Sequence, residues 1–343
     1  MNNRPVSCFL FVTVLLLVQT AFGQNQDGPA PEGWGEGAVT VEIVSSADQS
    51  IQKAVWFDPK SDEPAPLLVA LHPWSHGYTM KVDQYRKSCS QRGWAMIHPH
   101  FRGPNTNPNA CGSELVVRDI LDAVEFAKKR TKIDSSRIYL MGISGGGYAS
   151  MLMAGRHPEI WAGVCSWVGI ADLSKWQAET TARQLNYAKL LVDICGGVPG
   201  SSPAVDEQYR RRSAITWLAG AAHTPLLINH GIRDNIVPVS QAFIAFNTVV
   251  PAESRVDSND INFILKEKRV PDTLAKNVPN VACYAKKTVL FHRHCGQTGI
   301  TLFNGGHEGL VEAGCCWLAN QTQGKPADWS LFIPNSEKSN TPQ

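Results

Sequence analysis

The segment Gly142-Ile143-Ser144-Gly145-Gly146 follows the apolar run Arg137-Ile138-Tyr139-Leu140-Met141 and opens a stretch of helix formers. A strand, a sharp turn and a helix in that order put the serine at the apex, with its hydroxyl exposed above the end of a sheet. This is the layout of a nucleophile elbow. Glycines flank the serine because the backbone there is strained and tightly packed, with no room for Cβ atoms. The motif therefore demands a sheet whose strands lead into helices.

The rest of the chain has that pattern. Ala38 to Ser46 and Ile51 to Pro59 form an opening antiparallel pair. Pro66 to Leu71 is a continuous apolar run, as a strand buried on both faces requires, and Trp94 to Ile97 is another. A helix is predicted from Ser113 to Thr131, with Val116, Ile120, Ala123, Val124 and Ala127 as its apolar stripe. Further strands are predicted at Ala162 to Val168, Pro225 to Asn229 and Thr298 to Phe303. Alternating strands and helices imply an α/β fold: a mostly parallel central sheet with helices on both faces. The chain has 343 residues, an ordinary length for one such domain, assigned to residues 38–321. Residues 24–37, rich in Gly, Pro and Gln, predict a flexible lead-in, and residues 322–343 a polar, poorly ordered tail in which Trp329 to Ile333 can still dock.

Thirty-two basic against 30 acidic residues give a formal charge of +2, which offers nothing to a nucleic acid or an anionic membrane. Arg4, the apolar run Val6 to Val18 and the small residues of Ala21-Phe22-Gly23 predict a signal peptide over residues 1–23, cleaved near Gly23, and a secreted or periplasmic product with no membrane attachment. The run is short for a bilayer span. The eight cysteines beyond Cys8 then suit an oxidising compartment and some disulfides, with the connectivity open. Cys283 and Cys295 bracket a predicted hairpin and are candidates to pair across it. Cys315 and Cys316, being adjacent, pair elsewhere or stay free.

An activated serine needs a base within hydrogen-bond reach, and the base needs an orienting carboxylate. Both are expected just past the carboxyl ends of late strands. Pro225 to Asn229 leads into His230-Gly231-Ile232-Arg233-Asp234, and Thr298 to Phe303 leads into Asn304-Gly305-Gly306-His307. Ser144, Asp234 and His307 thus occur in the required chain order, each at a strand end, and are the candidate catalytic residues. Glu308 and Asp172 compete for the acid role. Glu308 points away from its neighbour's ring in most backbone geometries, and Asp172 suits a helix cap. For the oxyanion hole, Gly145 supplies one backbone N–H at a helix N-terminus. The second comes from the loop Leu71-His72-Pro73-Trp74-Ser75. Pro73 has no N–H, which selects Trp74, with Ser75 next in line.

On these stretches the chain resembles the catalytic domain of the prolyl oligopeptidase family of serine hydrolases. The matching segments are Phe101-Arg102-Gly103, Arg118 to Val124, Ile133 to Ile138, Gly142 to Tyr148, Tyr209 to Ser213 and His230 to Asp234, in order over about half the chain. The resemblance implies an α/β-hydrolase fold, no cofactor, and Ser144, Asp234 and His307 as triad. The sequence also departs from the family. Its peptidases carry a β-propeller before the hydrolase domain, whereas here some forty residues lie between the predicted signal and the first core strand. His72-Pro73-Trp74 stands where a tyrosine commonly donates to the oxyanion. About seventy residues separate Asp234 from His307, roughly double the usual gap, which predicts an insertion near 251–296.

His292, His294 and Cys295 have a spacing that suits a metal, but a polar hairpin edge accounts for them, and no metal is expected. His98, His100 and Arg102 near the rim are expected to support a helix or turn rather than touch substrate. Of ten tryptophans, Trp167 is the candidate to line the acyl pocket, since it ends the strand after the elbow helix. The expected activity is hydrolysis of an acyl ester through an acyl-enzyme. The substrate is expected to be a small acyl ester or acylated carbohydrate, with a short peptide as the substrate of a peptidase alternative. A catalytically silent binding protein of the same fold is the reading from another class; the complete serine, aspartate and histidine set argues against it.

Overall fold

A computed structural model of the chain describes residues 27–275 and 278–333. The predicted signal peptide lies outside them. Ten strands form one sheet: β1 (Gly28–Pro29), β2 (Ala38–Val44), β3 (Ile51–Phe57), β4 (Ala65–Leu71), β5 (Ala95–Pro99), β6 (Ile133–Ile143), β7 (Gly163–Trp167), β8 (Leu226–Gly231), β9 (Val289–Cys295) and β10 (Thr298–Phe303). The order across the sheet is β1-β2-β3-β5-β4-β6-β7-β8-β10-β9. The six central strands, β5 to β10 in that order, are parallel, and the edges are antiparallel. With helices α1 (Gln84–Arg92), α2 (Glu114–Arg130), α3 (Gly145–Arg156), α4 (Leu173–Ala182), α5 (Tyr187–Cys195), α6 (Pro203–Arg212), α7 (Ser240–Val249), α8 (Ser258–Glu267) and α9 (Val311–Leu318), this is the expected α/β-hydrolase architecture.

The sheet is buried on both faces because its central strands are apolar at every position. In β4, Leu67, Val69 and Leu71 join a core that also holds α2, α3 and α7, while Leu68 and Ala70 join a second core under α1 and α9. Helix α2 shows how the sequence sets one layer. The Ser113 side chain caps it by accepting from the Val116 N–H, and Lys128, Lys129 and Arg130 sit in the last turn, where the helix dipole favours cations. Its stripe of Val116, Ile120 and Val124 is almost fully buried, worth about 1.5–3 kcal/mol per side chain. Arg102 fastens the layer to the sheet edge. Its guanidinium bonds Asp119 on α2 at 2.6 Å and Asp48 in the β2–β3 turn at 2.7 Å, and Ser45 also donates to Asp119. Arg102 therefore braces α2 and the β2–β3 turn, the supporting role expected of it.

Three parts differ from the sequence expectations. Residues 27–37, expected to be loose, are docked: β1 pairs with β2, the Gly35 N–H donates to Asp83, and Trp34 packs on His98. The stretch between Asp234 and His307 is not one excursion. It supplies α7 and α8 to one face, and then β9 as a new edge strand paired with β10. No disulfide is present among the described residues. Cys295 lies at the β9–β10 turn opposite Thr298, whereas Cys283 precedes the far end of β9. Seven strand residues span about 20 Å, so the two cannot bond across the hairpin. None of the described helices is long and apolar enough to cross a membrane.

Candidate active site

Ser144 occupies the turn from β6 to α3 with φ 59° and ψ −118°, a left-handed conformation that non-glycine residues avoid. Two bonds hold it there: its N–H donates to the Trp167 carbonyl at 2.8 Å, and its carbonyl accepts from the Tyr148 N–H at 2.8 Å. The glycines are demanded by proximity. A Cβ on Gly142 would lie 2.3 Å from the Gly146 carbonyl carbon, and one on Gly146 would lie 2.2 Å from the Leu71 oxygen. The strain is thus fixed by contacts that no larger residue permits.

The structure brings Ser144, His307 and Asp234 into one hydrogen-bonded chain. His307 Nε2 lies 2.8 Å from Ser144 Oγ, and His307 Nδ1 lies 2.7 Å from Asp234 Oδ2. With the neutral ring in its Nδ1–H tautomer, Nδ1 donates to Asp234 and Ser144 donates to Nε2. The meeting of the last two residues follows from strand order. β8 and β10 are parallel neighbours, with Gly231 opposite Phe303, and the loops leaving them are zipped together. Ile232 N–H donates to the Phe303 carbonyl at 3.0 Å, and Arg233 N–H donates to the Gly305 carbonyl at 2.9 Å. Gly231 makes the crossing feasible, since a Cβ there would lie 2.1 Å from the Gly306 oxygen.

Asp234 is fully buried at its side chain. Burial alone drives its carboxyl up, but hydrogen bonds from His230 and His307 outweigh it and hold the group well below the usual carboxylate range. Oδ1 accepts from the Ile236 and Val237 N–H groups at 2.8 and 2.9 Å. His230 is a participant the sequence reading missed. Its Nε2 donates to the Val237 carbonyl at 2.9 Å and stands 3.3 Å from Asp234 Oδ2, so a second imidazole faces the acid. The other carboxylates are engaged elsewhere: Glu308 with Lys287 at 2.6 Å, and Asp172 as the cap that accepts from the Lys175 N–H.

The Gly145 and Trp74 backbones converge beside Ser144. A Cβ on Gly145 would lie 2.4 Å from the Trp74 nitrogen. Trp74 N–H has no acceptor among the described residues, and Gly145, as first residue of α3, has none within the helix. Two adjacent N–H groups at a helix N-terminus can receive an oxyanion. The loop carrying Trp74 is braced by His72, whose ring stacks on Phe101 at 3.9 Å and sets Nε2 2.8 Å from the His100 carbonyl. Burial lowers the His72 pKa to about 4, so the ring is neutral at pH 7. The Trp74 indole is buried against Trp176 at 4.9 Å, with Tyr187 and Tyr148 beyond.

Trp167 does not line a pocket. Its side chain is 0 % exposed and packs with Tyr284 and Phe303 in the core under α9. Strand parity sets this direction: Cys165 and Trp167 share one face of β7, while Ser166 faces α3 and donates to the Gly147 carbonyl. Among the described residues no group of three or more His, Cys, Asp or Glu side chains is placed to hold a metal. His292 and His294 are instead stacked on Phe332 and Trp329.

A family model described as "Prolyl oligopeptidase family" matches residues 81–266. Dipeptidyl aminopeptidase BIII of Pseudoxanthomonas mexicana is 26 % identical over 63 % of this chain and 30 % of its own length. Feruloyl esterase B of Thermothelomyces thermophilus is 25 % identical over 38 % of this chain and 48 % of its own. The solved structure of an acylaminoacyl peptidase with Z-Gly-Gly-Phe-chloromethyl ketone superposes with a TM-score of 0.54 at 18 % identity, covering 86 % of this chain and 43 % of that one, which shows a shared fold. The chain spans about a quarter to a third of the length of the curated peptidases it matches.

Proposed function

Because this chain belongs to the prolyl oligopeptidase family and is a serine hydrolase, we propose that it cleaves an acyl ester, with Ser144 as nucleophile, His307 as base and Asp234 as the orienting acid. The observation that carries the reading is the unbroken chain from Ser144 Oγ through His307 to Asp234, at 2.8 and 2.7 Å. His307 takes the Ser144 proton as Oγ attacks the acyl carbon. Asp234 keeps Nδ1 protonated and stabilises the imidazolium that forms. The Gly145 and Trp74 N–H groups bind the oxyanion. His307 then protonates the leaving alcohol, and water, deprotonated by His307 in turn, releases the acid.

An ester is preferred to a peptide because His72-Pro73-Trp74 replaces the tyrosine that commonly donates to the oxyanion in the peptidases. A similar esterase among the relatives agrees with this choice. The chemistry also suits an exported protein, with residues 1–23 as a signal, in agreement with the apolar run before Gly23.

The test is a panel of short-chain acyl esters and aminoacyl amides, with a fluorophosphonate probe for the serine. Ester turnover with labelling confined to Ser144 is expected. Faster turnover of the amides overturns the ester assignment. Hydrolysis unchanged in Ser144→Ala overturns the mechanism and leaves a silent binding fold in its place.

A further inference from the structure

Two peptide units hold the Asp234 carboxylate. The Ile236 and Val237 N–H groups donate to Oδ1 at 2.8 and 2.9 Å, which leaves Oδ2 for His307 Nδ1 at 2.7 Å. The carbonyls of these same two peptides belong to Asn235 and Ile236, and both accept from one side chain. Arg183 Nη1 donates to the Asn235 carbonyl at 2.7 Å, and Nη2 donates to the Ile236 carbonyl at 2.7 Å. Each arm of the guanidinium therefore ends on a peptide whose opposite edge ends on Asp234.

Arg183 directly follows α4, and its remaining bond fastens the fork to that helix: Nε donates to the Glu179 carbonyl in the last turn, at 3.1 Å. All three bonds go to main-chain carbonyls and none to a carboxylate. A rigid planar fork suits two carbonyls that must keep one orientation, and a charged donor strengthens each bond. Trp176 of α4 adds a second grip, its indole N–H donating to the Ile236 carbonyl at 3.3 Å.

We propose that Arg183 is a positioning residue for Asp234, acting through the Asn235–Ile236 and Ile236–Val237 peptides. The inference rests on the reading of Ser144, His307 and Asp234 as the triad. A peptide is planar, with its C=O and N–H on opposite sides, so the two cannot be aimed separately. Rotation of the Asn235–Ile236 peptide takes its N–H off Oδ1 and its C=O off Arg183 together. Asn235 is exposed, so without the guanidinium its carbonyl is free to turn to water. The carboxylate then loses its hold at Oδ1, and Oδ2 drifts from His307. A donor on the C=O also polarises the amide and makes the N–H beyond it a better donor to the carboxylate. Arg183 therefore acts on the chemical step through His307, and its loss falls on kcat rather than on KM.

The test is the rate at which a fluorophosphonate labels Ser144 in the full chain, with kcat and KM on a short-chain acyl ester. Arg183→Ala is expected to label ~10–100-fold more slowly and to lose kcat by the same factor at unchanged KM. Arg183→Lys, with one point charge for two carbonyls, should fall between. Millimolar guanidinium ion is expected to bring Arg183→Ala back to within about threefold of the parent. In the Asp234→Asn background, Arg183→Ala should cost less than about twofold more, because the two residues act as a unit. Lys175→Ala, exposed on the same helix, is the control for the α4 surface, and urea midpoints report folding. Labelling and kcat within about threefold of the parent, a raised KM at constant kcat, an equal loss in the Asp234→Asn background, or a loss that only follows a fall in the urea midpoint overturns the proposal. Each of these leaves the hydrolase reading standing; a parent chain whose Ser144 does not label overturns that reading and this one with it.

Discussion

Gly145→Ala is the sharpest probe of the proposed oxyanion site. Gly145 is not among the glycines with positive φ, so alanine meets no backbone penalty there and any effect comes from space. Its Cβ would lie 2.4 Å from the Trp74 nitrogen and 2.6 Å from the Trp74 Cα, both main-chain atoms that cannot rotate aside. Ordinary contact begins near 3.5 Å, so the His72-Pro73-Trp74 loop must retreat by about 1 Å. That movement carries the Trp74 N–H out of hydrogen-bond range of the oxyanion while leaving His307 and Asp234 in place. Loss of one such donor costs about 2.7–4 kcal/mol of transition-state stabilisation, or ~10²–10³ in kcat. KM should move little, because the charge on the acyl oxygen develops only after binding. The assay is kcat and KM on a short-chain acyl ester, with circular dichroism to confirm folding. Gly28→Ala is the control, since a Cβ there meets nothing closer than 3.8 Å. A folded Gly145→Ala protein whose kcat stays within about threefold of the parent refutes the assignment of Trp74 as second donor.

Asp234→Asn should lower kcat by ~10³–10⁴, because an amide cannot hold His307 in its Nδ1–H tautomer. The same variant reports on stability. Asp234 has a depressed pKa in the folded chain, so its contribution is complete above the unfolded value of about 3.9 and fades as pH falls through the lower folded value. The gap in unfolding free energy between parent and variant should therefore narrow only in acid; a gap that widens there contradicts the assigned direction. Arg102→Met should destabilise by about 3–5 kcal/mol in urea titration, because it strands Asp119, whose side chain is 1 % exposed, and a loss under about 1 kcal/mol contradicts the brace. Trp167→Phe should cost roughly 1–3 kcal/mol of stability with KM unchanged across acyl lengths. A shift in acyl preference at full stability would falsify the core placement of Trp167.

What the sequence disclosed depended on how local the physics was. Ser144 was legible because the strand, the glycines and the helix that constrain it are contiguous. Asp234 and His307 were legible because each follows an apolar run; that their strands β8 and β10 are neighbours whose exits meet is a fact of the sheet order. Trp74 emerged by elimination, since Pro73 has no N–H to give. His230 stayed hidden: a histidine inside a buried strand gives no sign of its partner, and the carboxylate it faces is brought back to it only by the tight turn through Ile232 and Arg233. Trp167 was misjudged for a related reason. Nearness to the elbow along the chain was mistaken for nearness of the side chain, although its carbonyl does hold Ser144 while its indole points to the opposite core. The cysteines mark the limit of spacing arguments. Cys283 and Cys295 sit close in sequence yet are separated by the length of β9. That separation is set by the sheet order, because β9 folds back on β10 as an edge strand and carries Cys295 to the turn while Cys283 stays before the opposite end.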